Sequence, residues 1–362
     1  MLAALEAPNW SNGEMVRSFE AAFAEFLGCR HVVMTVNATM ALELALLAYD
    51  FGPGDEVIVP ALTFPSVVLA VLACGAVPVV CDVDPETYCI SASTIAPAIT
   101  GRTRAVIPTH LYCTLCDMPP ILRLAQQHGI IVIEDCAHTP GAIRNRQCAG
   151  TWGHAAIFSF NQKKPLSCGE GGCLITGDDH LRDRVTWLRS FDGQACEPPR
   201  RMQRMGKVSD FQAAVLLGQL QGLSARLSET DKREEELRLK LAHLPPANIL
   251  PRLPDTDRQT VYNCCLRINA LRDAAAFRGA LSAELGFEVT GTYMPLDLAP
   301  ALDGSNEVQF RSNRLRTGGA PCAVAHRAYY SEGIRFPGYY LTADGSAVDD
   351  IASAISKVLE HF

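Results

Sequence analysis

Six short runs in the first half of the chain are apolar almost without interruption: EVIVP (56–60), VPVVCDV (77–83), RAVIPTH (104–110), IIVIED (130–135), AAIFSF (155–160) and GCLITG (172–177). Runs of this length, rich in β-branched residues and lacking strict alternation, predict strands buried on both faces. Stretches near 66–74, 91–99 and 119–128 lie between them and carry helical spacing. Strands joined by helical crossovers predict a mostly parallel sheet covered on both sides, an α/β architecture. A helix apolar on nearly every side is expected after Asn37. From 209 to 244 the pattern changes to long helices with few breakers and a charged second half. The breaker-rich PPANILPRLPDTDRQ follows. Beyond it, VYNCCLRI reads as a strand, and segments near 272–285 and 347–360 read as helices. The expected division is a large domain over 1–240, with an N-terminal arm at 1–15, and a small α+β domain over 241–362. No internal repeat or low-complexity tract stands out.

The 362 residues are 48% hydrophobic, enough for a substantial core, and the formal net charge of -7 argues against wholesale nucleic-acid binding. The opening residues lack the basic start and apolar run of a signal peptide. The most apolar stretch, SVVLAVLACGAVPVVC, is broken by Gly75 and Pro78, so no membrane span is expected. The fourteen cysteines are scattered, and Cys74, Cys81 and Cys173 fall inside apolar runs. Buried free thiols of this kind point to a reducing cytoplasm. Cys113 and Cys116 form a single C-x-x-C with no second pair at zinc-site spacing, so no metal is expected.

Three local features bear on chemistry. Asn37 can cap the helix that follows, which would leave the N–H groups near Ala38 and Thr39 pointing outward; this is either an ordinary cap or a phosphate cradle with the Thr39 hydroxyl added. Glu134 and Asp135 end a buried strand, where an acid either caps a turn or faces a ligand in the crevice beyond the strand ends. His138 follows three residues later and alone reads as a hydrogen-bonded structural histidine. Lys163 and Lys164 sit between the F-S-F of 158–160 and the G-E-G-G of 169–172. A surface loop would tolerate them; a covalent cofactor site would require one. A phosphate cradle, an acid for a ring nitrogen and a lysine in a glycine-flanked loop together specify pyridoxal 5'-phosphate. Gly169, Gly171 and Gly172 would permit close approach and unusual dihedrals.

The chain resembles the DegT/DnrJ/EryC1/StrS aminotransferases. The similarity rests on SFEAAFAEFLG (18–28), GPGDEVIVPALTF (52–64), VPVVCDVDPETY (77–88), THLYCTLCDM (109–118), IEDCAHTPGA (133–142), FSFNQKKPLSCGEGG (158–172) and SDFQAAVLLGQL (209–220), in order over nearly the whole chain. The resemblance implies the type I fold of pyridoxal-phosphate enzymes, aspartate aminotransferase-like, with a mostly parallel seven-stranded sheet and a smaller C-terminal domain. It also separates the lysines: Lys164 takes the Schiff-base position and Lys163 a variable one. By the same carry-over Thr39 and Ser159 contact the phosphate, Ala38 offers its backbone, Asp135 pairs with the pyridine nitrogen, His138 lies near the ring hydroxyl, and Phe64 stacks on the ring. Asp135 and His138 join Lys164 as catalytic candidates. The implied reaction is ping-pong amination of a keto-sugar or keto-cyclitol, in antibiotic or glycan biosynthesis, with L-glutamate or L-glutamine as donor, in a homodimer. Related dehydratases commonly have His in place of the lysine, so Lys164 argues against dehydration. A DNA-binding regulator would need a further module. Three departures stand out. Ala38 replaces a cradle glycine. Met205 replaces an Asn that reaches a partner's phosphate, leaving open whether Lys207 compensates. Asp297 replaces the His of a P-L-H pattern.

Overall fold

The computed structural model describes residues 2–6, 8–190, 202–244, 247–269, 271–299, 315–318 and 321–362. Its strands are β1 (His31–Thr35), β2 (Glu56–Pro60), β3 (Val77–Cys81), β4 (Thr103–Val106), β5 (Ile131–Asp135), β6 (Ile143–Arg144), β7 (Gln147–Cys148), β8 (Ala155–Ser159), β9 (Gly172–Thr176), β10 (Ala247–Ile249), β11 (Thr256–Arg258), β12 (Asn263–Ile268), β13 (Arg316–Thr317) and β14 (Gly333–Pro337). The helices are α1 (Leu2–Glu6), α2 (Glu14–Leu27), α3 (Ala38–Ala48), α4 (Ser66–Ala73), α5 (Ala92–Ile95), α6 (Met118–His128), α7 (Asp179–Leu188), α8 (Asp210–Leu220), α9 (Leu223–Leu241), α10 (Ala274–Leu285), α11 (Ala323–Arg327) and α12 (Ala347–Leu359).

The main sheet has the order β1-β9-β8-β5-β4-β2-β3-β13. Only β9 runs against its neighbours; the pairs from β8 across to β13 are parallel. The seven long strands match the expected count. The eighth, β13, adds two residues beside Val79 and Val80.

Alternation along the strands feeds two cores, one on each face. On β8, Ala155 and Ile157 enter one apolar cluster while Ala156 and Phe158 enter the other; on β9, Leu174 opposes Cys173 and Ile175. The first core takes in α3 and α4, both apolar around most of their circumference, as a helix enclosed by its neighbours must be. The second is filled by aromatics from α2: Phe19 meets Phe160 and Phe23 meets Phe158, each edge-on at 5.3 Å. Asp210, fully buried at the start of α8, accepts from the N–H of Gly13 at 2.7 Å and of Met15 at 3.0 Å. This pins the start of α2 to a residue nearly two hundred positions away.

After α9 the chain forms an antiparallel sheet, β10-β12-β14, packed with α10 and α12. A third small sheet, β11-β6-β7, ties residues 256–258 to the 143–148 hairpin. The second half of the chain is thereby fastened close to the C-terminal end of β5.

Candidate active site

The sheet brings three segments into one row. Thr35 at the end of β1 pairs with Gly172, and Gly172 pairs with Ser159 at the end of β8. The chain leaving β1 turns at once into α3, where Asn37 Oδ1 accepts from the Met40 N–H at 2.8 Å. The N–H groups of Ala38 and Thr39 precede any intrahelical acceptor and carry the positive end of the helix dipole. Gly172 lies directly behind them. A Cβ there would stand 2.4 Å from the Ala38 nitrogen and 2.5 Å from the Asn37 carbonyl carbon. Two outward N–H groups, with Thr39 in the first turn of α3 and Ser159 at the end of β8, offer a donor set that suits a phosphate dianion. Ala38 itself keeps ordinary helical geometry, so its Cβ is no obstacle. Met205 is 68% exposed and lies alongside, because the neighbouring Gly206 carbonyl accepts from Val36 N–H at 3.1 Å.

The two lysines part company in the next loop. Backbone bonds from Phe160 to Gly171, Gln162 to Gly169, Lys164 to Asn161 and Cys168 to Phe160 fold residues 160–171 tightly back on themselves. Gly169 allows the reversal with φ +90°, a conformation costly for any residue with a Cβ. Lys163 is left exposed. Lys164 is half-buried, with Nζ 4.1 Å above the centre of the Tyr262 ring. Burial lowers its ammonium to about 8; Asp135 opposes the shift and Arg335 adds to it.

The two acids at the end of β5 have separate tasks. Glu134, fully buried, accepts from the N–H groups of Gly150, Trp152 and Gly153 and pairs with His110 Nε2 at 3.0 Å. Its oxygens are saturated by protein. Asp135 points the other way along the pleat, and its Oδ1 accepts from Ala137 N–H at 3.0 Å while Oδ2 accepts from the Thr109 hydroxyl at 3.3 Å. Burial raises the Asp135 carboxyl, against the pull of the Ala137 N–H, Lys164, His110 and Thr109. A cation brought to Asp135 would hold it ionised. His138 is buried, and its Nδ1 accepts from Tyr112 N–H at 3.0 Å. The proton of the neutral ring therefore sits on Nε2, which lies 3.5 Å from the Tyr293 hydroxyl. Burial, with Lys164 and Arg335 nearby, keeps this imidazole well below its usual range and so uncharged.

Several site residues were not among those singled out from the sequence. Tyr262, Tyr293 and Arg335 arrive from the second half of the chain. Tyr293 stacks on Tyr112 at 5.6 Å, and its N–H donates to the Tyr112 hydroxyl at 2.8 Å. The Arg335 guanidinium lies 5.0 Å from the Tyr293 ring centre, with Nε donating to the Gly291 carbonyl at 2.7 Å. Phe64, 56% exposed, stands at 6.1 Å from Tyr293. Asp297 accepts from His326 Nε2 at 2.8 Å and is held in a local pair.

The Cys113–Cys116 motif lies in the core. Cys116 Sγ donates to the Thr109 carbonyl at 3.2 Å, and burial pushes the Cys113 thiol up to about 11, so neither thiol is activated. His110, Glu134 and Cys136 converge within 4.8 Å. Glu134 is fully engaged, and His110 Nδ1 accepts from Cys116 N–H at 3.0 Å, so the group is a hydrogen-bonded strut. No helix of the described residues is long and apolar enough to cross a membrane.

A lysine, an acid and an anion cradle gathered at the C-terminal ends of parallel strands define a class of group-transfer enzyme, and comparison with known proteins gives the family. Residues 1–351 match the DegT/DnrJ/EryC1/StrS aminotransferase family, and the chain belongs to it. L-Glutamine:scyllo-inosose aminotransferase from Streptomyces griseus is 36% identical, over 95% of this chain and 86% of the relative. GDP-perosamine synthase from Caulobacter vibrioides is 38% identical, over 71% of this chain and 70% of the relative. Among solved structures, DesV from S. venezuelae superposes with a TM-score of 0.87 at 28% identity, covering 98% of this chain and 92% of that one. 3-Amino-5-hydroxybenzoic acid synthase gives 0.86 at 28% identity, covering 100% and 95%. The fold is that of these enzymes, and the chain is an aminotransferase.

Proposed function

We propose that this aminotransferase uses pyridoxal 5'-phosphate, linked through Lys164, to move an amino group from L-glutamine or L-glutamate to a keto-cyclitol or keto-sugar. The observation that carries the reading is the half-buried Lys164 amine, titrating at about 8 and electrostatically coupled to Asp135 across the crevice. The cofactor's protonated ring supplies the electron sink that stabilises negative charge at the donor's α-carbon.

The chain's own residues supply the rest. Ala38 and Thr39 N–H groups, with the Thr39 and Ser159 hydroxyls, anchor the phosphate. Asp135 holds the ring nitrogen protonated, and its hydrogen bonds from Ala137 and Thr109 fix its orientation. His138 presents Nε2–H to the ring's hydroxyl oxygen. Phe64 would pack against the ring. Lys164 would take the donor's α-proton at Nζ and give it back; an amine with a pKa near 8 can do both near neutrality. Arg335, whose Nε is tied to Gly291, keeps its terminal N–H groups for the donor's carboxylate. A cavity of about 530 Å³ beside Lys164 carries Gln162, Thr230, Tyr262, Tyr339 and Thr342 among its lining, hydrogen-bonding groups suited to a polyol ring. The names of the S. griseus and C. vibrioides relatives support a cyclitol or sugar acceptor and, for the first, a glutamine donor.

The working unit in this reading is a cytoplasmic homodimer. Phe64, Leu69 and Met205 are exposed apolar side chains, as expected of a surface a second copy covers. The free thiols, buried or partly so, suit a reducing compartment. The division between a large domain over 1–240, with its arm at 1–15, and a small domain over 241–362 falls at the C-terminal end of α9.

The deciding experiment reduces the cofactor-loaded protein with borohydride and maps the modified peptide. A tag on Lys164 is expected; a tag on Lys163, or on no lysine, rejects the reading. Donor half-reactions with glutamine and glutamate, then a screen of keto-cyclitols and keto-sugars, identify the substrates.

A further inference from the structure

We propose that Tyr262 is a positioning residue for Lys164: the face of its ring holds the ammonium in place whenever the amine is not bonded to the cofactor. The inference rests on the role given to Lys164 above.

The contact is close, with Nζ 4.1 Å from the ring centroid, inside the range where the negative face of an aromatic ring attracts a cation. The platform is also fixed. Tyr262 N–H donates to the Thr260 carbonyl at 3.2 Å, and the Tyr262 carbonyl accepts from Gly338 N–H at 3.0 Å. Gly338 packs so tightly that a Cβ there would lie 2.1 Å from the Val261 carbonyl oxygen. The Tyr262 ring also meets the His138 ring, at a centroid distance of 4.3 Å.

The charged and titratable groups facing Lys164 are Asp135 from β5, which favours the ammonium, and Arg335 from β14, which opposes it; buried His138 stays neutral. Among the described residues, Lys164 Nζ donates no hydrogen bond. Its protonated form therefore depends on Asp135 and on the Tyr262 face. A carboxylate at close range would lock the amine as a permanent cation. A ring face steadies it without a proton-accepting atom, so the group remains free to lose its proton. Four rotatable bonds would otherwise let a released lysine wander from the atom to which it must return.

The test is a titration of Lys164 in cofactor-free protein, by ¹³C-methylation of the lysines and NMR, for wild type, Tyr262→Phe and Tyr262→Leu. The phenylalanine variant keeps the ring face and is expected to titrate as wild type. The leucine variant is expected to titrate lower by about one pH unit, a tenfold change in the proton-binding constant. With cofactor, its kcat should fall about tenfold or more while donor KM stays nearly constant. Tyr262→Met serves where the leucine variant fails to fold. An unmoved Lys164 titration in the leucine or methionine variant overturns the proposal, as does a phenylalanine variant that behaves like leucine. Borohydride mapping on wild type separates the two claims. A tag absent from Lys164 removes the parent reading, whereas a tag present with an unmoved titration removes only the role of Tyr262.

Discussion

Gly172 and Ala38 are in backbone contact: a methyl group on the first would lie 2.4 Å from the nitrogen of the second. Strand β9 can pass behind the start of α3 only because this position has no side chain. The position of the cradle is therefore set by a residue that touches no ligand itself. Gly172→Ala is expected to fold, to weaken pyridoxal 5'-phosphate binding by about 10- to 100-fold, and to lower thermal stability, since overpacking against a backbone costs ~1–3 kcal/mol. Absorbance titration of cofactor into the purified variant measures the first, and calorimetry the second.

Lys164 makes stability depend on pH in an unusual direction. The folded amine titrates at about 8, against 10.5 for an ordinary lysine. Below pH 8 the folded chain bears the whole cost of holding a desolvated cation. Between 8 and 10.5 the unfolded chain still binds the proton that the folded chain has released, so stability rises with pH. Cofactor-free Lys164→Met is therefore expected to melt higher than cofactor-free wild type near neutrality. That advantage should shrink as pH climbs through this window. Parallel melting curves at several pH values check the trend, and turnover should be absent in the variant throughout.

Adjacent acids on β5 should respond oppositely to the same change. Glu134→Gln places an amide N–H₂ against donors that now share a carboxylate, and should cost about 2–4 kcal/mol in urea unfolding. Asp135→Asn should stay within about 1 kcal/mol of wild type, because it keeps an oxygen for Ala137 and loses a buried charge. Its turnover should drop about 100-fold or more, for want of a charge to hold the ring nitrogen protonated. Equal destabilisation of the two variants would contradict the separate tasks described above.

Arg335→Met tests the donor side. Loss of a charged hydrogen-bond donor, worth roughly 1.5–3 kcal/mol, should raise donor KM about 10- to 100-fold. Removing a cation that disfavours the Lys164 ammonium should also move the Lys164 titration upward. Steady-state kinetics with glutamine and glutamate, and the ¹³C titration, read the two effects separately.

What could be read from the chain follows from where the information lies. EVIVP at 56–60 is a strand with the same ends in structure because all five residues are buried and the three between Glu56 and Pro60 are β-branched and apolar. HVVMT at 31–35 went unmarked, since five residues between a helix and a capping asparagine leave little pattern to detect. The reversed direction of β9 is set by the folded-back 160–171 loop, which periodicity does not report. β13 has two residues, too few for any period. At the site, Lys164, Asp135 and His138 lie in contiguous motifs whose spacing the backbone preserves. Tyr262, Tyr293 and Arg335 occupy three separate segments of the second half, and only the packing of its sheet against the end of β5 brings them together. Local sequence carries no sign of that convergence.

The ring beneath Lys164 is made late. A chain leaving the ribosome completes both lysines and Asp135 roughly a hundred residues before Tyr262 emerges, and later still come Tyr293 and Arg335. Until then the amine lacks the aromatic face that sets it apart from its neighbour at 163. In the reading proposed above, an amine steadied for the cofactor therefore exists only once the second half of the chain has been made.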